Sequence, residues 1–134
     1  MAAKESIPLQ LHVEGESDET YPDLAVMADK AGLDRKKLVR HYAPPRVDSS
    51  YTLGITPSDL AGSGSIDQLM KTFEQSSNGF MLETDYMDDP KRPGAVLGPK
   101  TVPKRTKQLL AAGLDEEVLY HTHVDLPEQI YGSI

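Results

Sequence analysis

The sequence contains no cysteine and no tryptophan. Without cysteine there are no disulfides, thiolate zinc sites or cysteine nucleophiles, which fits a reducing, cytoplasmic setting. No stretch approaches the run of about 18 apolar residues that a membrane helix needs. The opening residues, Met1 to Pro8, lack the apolar centre of a secretory signal. The expected location is therefore the cytoplasm or the inside of a virion, not a secreted or membrane setting. No Gly-Lys-Ser/Thr follows the glycines at 62 and 64, so a phosphate-binding P-loop is excluded, and the Gly-x-Ser-x-Gly of a serine hydrolase is also missing. Aromatic residues are few, with six Tyr and two Phe.

What is present suits one domain over residues 1–134, since a chain of this length can bury a workable core. Ten Gly and ten Pro predict many turns and long irregular connections. The net charge of −7 opposes general nucleic-acid binding, because phosphates repel the chain as a whole. The basic residues nevertheless cluster. Lys30, Arg35, Lys36, Lys37, Arg40 and Arg46 form one block, and Lys91, Arg92, Lys100, Lys104, Arg105 and Lys107 form another.

In chain order, residues 1–23 read as a strand, alternating Leu9, Leu11 and Val13, followed by an acidic loop. Residues 24–42 read as two helices around a corner at Gly32, with Asp34 capping the second. Tyr51, Leu53 and Ile55 alternate as a short strand, and Thr56-Pro57-Ser58-Asp59 reads as the start of a short helix. Residues 65–87 read as a helix and a strand. The helix opens on the capping box Ser65–Gln68 and carries the stripe Ile66, Leu69, Met70, Phe73. Residues 88–103 hold too much Pro and Gly for regular structure. Residues 104–134 read as a second helix pair with an apolar tail, Leu126, Ile130, Tyr131 and Ile134, beyond the last helix, where Pro127 discourages helix continuation. The predicted fold is a small, helix-dominated α+β domain with few short strands.

The 24–42 stretch, with a small Ala28 at the helix crossing, Gly32 at the turn and Leu33, Leu38 and Tyr42 closing it, is similar to the DNA-binding helix-turn-helix of the tetracycline-repressor and related bacterial families. The resemblance implies that Arg35, Lys36, Lys37 and Arg40 face DNA. A second copy of Ala-Gly-Leu-Asp, at 112–115, carries Glu116 and Glu117 where the first has Arg35 and Lys36. This echo favours reading the motif as helix punctuation over reading it as a DNA-binding corner.

Two clusters bear on metal chemistry. In an extended segment His121-Thr122-His123-Val124-Asp125 would put His121, His123 and Asp125 on one face. It resembles the first-strand His-x-His of the amidohydrolase family, whose other ligands come from a large barrel; His12 is the distant histidine taken as a further donor. Glu83, Asp85, Asp88 and Asp89 form an acid cluster of the kind that holds Ca²⁺ or Mg²⁺, without the regular spacing of an EF-hand. No resident cofactor is expected. The leading expectation is a non-enzymatic subunit that binds other protein subunits, or copies of itself, in a larger assembly such as a virion or connector, with the apolar tail as interface. The alternatives are a DNA-binding helix-turn-helix protein and a small metal-dependent enzyme.

Overall fold

The computed structural model describes residues 2–15, 17–62, 64–86, 91 and 97–132. A short helix α1 (Ala2–Glu5) leads into strand β1 (Leu9–His12), which is followed by helix α2 (Thr20–Ala31). A single 3₁₀ turn (Arg35–Lys37) then opens strand β2 (Leu38–His41). Helix α3 (Ser49–Thr52), strand β3 (Thr56–Leu60), helix α4 (Ile66–Gln75) and strand β4 (Met81–Glu83) follow in turn. The chain closes with α5 (Thr101–Ala111), α6 (Glu116–Tyr120), a π-helical turn (His121–Asp125) and α7 (Leu126–Tyr131).

The four strands form one sheet in the order β1-β2-β3-β4, and every adjacent pair is parallel. Parallel neighbours need crossover connections, and each connection here contains a helix. The architecture is thus α/β with a parallel sheet, which overturns the expected helix-dominated α+β domain. Two misassigned segments account for the difference. Leu38, Val39 and Arg40 are buried in succession, as in a strand covered on both faces, rather than striped along a helix. The second half of the 24–42 pair is therefore strand β2, and the corner is not a pair of helices. Likewise Thr56-Pro57-Ser58-Asp59 forms β3, hydrogen-bonded between β2 and β4, while Tyr51 lies in α3.

The punctuation itself forms as read. Gly32 takes the left-handed conformation (φ 69°) and ends α2, its N–H reaching Ala28 and Asp29 carbonyls, and the Asp34 carboxylate accepts the Lys36 N–H. In the second copy Gly113 is also left-handed and Asp115 accepts the Glu117 N–H. Ser65 caps α4 by accepting the Gln68 N–H.

Side chains alternate across the sheet. Leu38 packs with Leu24, Ala25 and Ala28 of α2, and the Arg40 guanidinium lies 4.8 Å over the Tyr21 ring, so this face carries α2. Val39 faces the other way and packs with Leu126, Ile130 and Met81. A third cluster joins Val47 and Phe80, which precedes β4, with Leu69 and Phe73 of α4, Leu109 of α5 and Leu119 of α6. Leu126 and Ile130 thus lie in the chain's own core, Tyr131 is exposed, and Ile134 falls outside the described residues. Pro127 does not end the helix. Its ring would crowd the carbonyl of His123, which lies within the wider π-helical turn, and the chain passes helically into α7. Among the described residues no helix is long and apolar enough to cross a membrane.

Candidate metal centre

Three of the four strands end on a histidine or a carboxylate. β1 ends at His12, β2 at His41 and β4 at Glu83, with Asp85 two residues on. Register places His12 directly opposite His41, and their rings lie 5.5 Å apart. By alternation His12, His41, Ser58 and Glu83 belong to the face opposite α2. They gather at the carboxyl ends of parallel strands, where α/β sheets bind their ligands.

His41 stands between the two carboxylates. Its Nδ1 lies 2.7 Å from Glu83 Oε1, and its Nε2 lies 3.3 Å from Asp85 Oδ1. The side chains of His41 and Glu83 are 17% and 13% exposed, whereas Asp85 is more open at 34%. The shorter contact has the distance of an ion pair but not the alignment of a hydrogen bond, since Nδ1 is buried without a hydrogen-bond partner. Glu83 is independently fixed. Its Oε1 accepts the Tyr42 N–H at 2.9 Å and its Oε2 accepts the Ser58 hydroxyl. Two residues beside the cluster, Tyr42 (φ 57°) and Asp85 (φ 49°), hold left-handed backbones without being glycine. Such conformations persist where surrounding structure enforces them, and they concentrate at functional sites.

Among the described residues no group of three or more His, Asp or Glu is already arranged to hold an ion. His41 instead lies between the two carboxylates, one ring nitrogen toward each. Imidazole nitrogen and carboxylate oxygen together suit zinc and related transition metals.

The residues singled out by sequence are distributed differently. His121, His123 and Asp125 lie on helical turns, not in an extended segment, so they do not share one face. His121 Nδ1 meets Asp125 Oδ2 at 3.4 Å, while His123 Nε2 lies 2.9 Å from the Thr106 hydroxyl. Burial lowers the His123 pKa from its ordinary value of 6.5. The neutral ring is favoured in the folded state, so stability contributed here is present at neutral pH and lost as pH falls below about 6.5. Replacing His123 with Gln should flatten that part of the stability–pH profile, measured by urea denaturation between pH 5 and 7.5.

The four proposed DNA-facing residues are mostly engaged within the chain. Arg35 binds both carboxylate oxygens of Asp29 and the Leu53 carbonyl, Lys37 binds Ser6, and Arg40 is 2% exposed. Lys36 is exposed, and its carbonyl accepts the Thr56 hydroxyl. Of the acid cluster, Glu83 and Asp85 reach the site, whereas Asp88 and Asp89 lie outside the described residues. Sequence reasoning missed His41 altogether. The available signal was two four-residue segments, Leu9-Gln10-Leu11-His12 and Leu38-Val39-Arg40-His41, each ending in His, 29 positions apart by residue number, a spacing that suits one strand–helix–strand unit.

The chain is 40% identical over 124 residues to an uncharacterized protein of Methanocaldococcus jannaschii. The match takes in 92% of this chain and 42% of that relative, so the chain spans less than half the relative's length. No protein-family model matches the chain, and no solved structure matches it.

Proposed function

We propose that the chain carries a divalent-metal centre for hydrolysis, built from His12, His41, Glu83 and Asp85. The observation that carries this reading is His41, wedged between two carboxylates with a buried Nδ1 that makes a 2.7 Å contact and no hydrogen bond. A bound divalent cation would supply Lewis acidity and a water activated near neutral pH. His12 and His41 present ring nitrogens from adjacent strands. Glu83 is the oriented carboxylate, held by the Tyr42 N–H and the Ser58 hydroxyl, as ligating carboxylates commonly are. Asp85, the more exposed acid, is the one suited to accept a proton from an attacking water. Chelator-stripped protein dialysed against zinc or manganese tests the reading: one ion retained per chain supports it, and no retained ion refutes it.

A second reading, assembly with other subunits, gains support from a different feature. β1 is an edge strand whose residues are largely exposed, and Leu9 in it and Ile7 just before it are exposed apolar residues. Parallel sheets are normally covered, and an open edge invites another strand. Four sequential parallel strands with helical crossovers make half the strand count of a (β/α)₈ barrel, and the relative's extra length leaves room for a second half. If β1 is the joining edge, light scattering should give a mass above that of one chain. Leu9→Lys should return it to one chain with the circular dichroism unchanged. A monomeric wild type would remove this reading and leave the metal centre standing.

A further inference from the structure

Tyr42 follows His41 directly and is the most conspicuous side chain at the mouth of the cluster. The residue is 53% exposed, although aromatic side chains gain much from burial. Its centroid lies 6.2 Å from both the His12 and His41 rings, in edge-on orientations. Its backbone is left-handed at φ 57°, an outlier conformation for a bulky residue, and the Tyr42 N–H bond to Glu83 accompanies it. Glycine would take that backbone with less strain and keep the N–H. The aromatic ring is therefore not needed for the turn or for the bond to Glu83.

We infer that Tyr42 is a substrate-contacting residue, offering its ring face to a planar aromatic group attached to the scissile oxygen-bearing group at the metal. The proposal rests on the metal-centre reading and names a substrate class for it: a compound with an anionic or carbonyl oxygen beside an aromatic ring. An exposed, strained aromatic beside two histidines and a carboxylate is suited to stacking on a planar ring.

The test compares binding of 4-nitrophenyl phosphate and methyl phosphate to zinc-loaded protein by calorimetry. The wild type should prefer the aryl compound by about tenfold or more. In Tyr42→Gly that preference should vanish while methyl phosphate affinity, zinc content and melting temperature hold or rise; Tyr42→Phe should keep the preference. An unchanged preference in Tyr42→Gly overturns the inference. So does a parallel loss of both affinities, which would make Tyr42 a positioning residue for the histidines. Zinc retained with neither phosphate bound also overturns it, leaving the metal centre intact. A protein that holds no zinc brings down the metal-centre reading and this inference with it.

Discussion

Phe80→Ala should lower the unfolding free energy by about 3–5 kcal/mol, the range for removing a fully buried phenyl ring. Phe80 is fully buried and packs against Phe73 of α4 with ring centroids 4.5 Å apart. It sits one residue before β4, so the cavity left behind would open between α4 and the strand that carries Glu83. The same cluster joins Leu109 of α5 and Leu119 of α6, so the lost contacts tie three helices to the sheet. Ile130→Ala probes the other face and should cost about 2–5 kcal/mol, because Ile130 is 1% exposed against Val39 and Leu126. Urea denaturation of both variants checks this. A loss below about 1 kcal/mol for Ile130 would mean that α7 does not dock on its own sheet, and would return the tail to the role of interface.

His41→Ala should weaken zinc binding by at least about a hundredfold, since even partners one bond removed from a ligand are worth about 10–100-fold. His41 contacts both carboxylates and neighbours the His12 ring, so its removal disturbs three members of the cluster at once. Ser58→Ala removes only the hydroxyl that orients Glu83 Oε2, and should cost about tenfold. His121→Ala should change nothing, because His121 is paired with Asp125 on the helical turns beyond β4. The ordering His41, then Ser58, then His121 distinguishes a metal centre from a structural ion-pair network. In such a network, removing His41 would move stability and leave metal content where it was.

The local punctuation was legible because caps and left-handed glycines act over three or four residues. Ser65 with Gln68, Gly32 with Asp34, and Gly113 with Asp115 each form where the residue types demand. Strands β2 and β3 were not legible, for reasons of context. Leu38, Val39 and Tyr42 fit a helical stripe as well as they fit a buried strand, and only burial on both sides of the sheet decides between them. Thr56-Pro57-Ser58-Asp59 has poor strand propensity and looks like a helix cap. It becomes a strand because β2 and β4 supply its backbone partners. The site was half visible. Glu83, Asp85 and His12 stood out as chemistry-bearing residues, but nothing joined them without the parallel sheet, and His41 was hidden inside the supposed second helix. The His-x-His-x-Asp pattern misled because its geometry depends on extended backbone, which residues 121–125 do not have.

The most direct measurement follows the four imidazoles by nuclear magnetic resonance while zinc is added to chelator-stripped protein. The sequence contains four histidines, His12, His41, His121 and His123, so each signal can be assigned by single replacement. The His12 and His41 ring signals should shift or broaden together, saturating near one equivalent, while His121 and His123 stay in place. Movement of His121 and His123 first, with His41 unchanged between Glu83 and Asp85, would contradict the metal-centre reading.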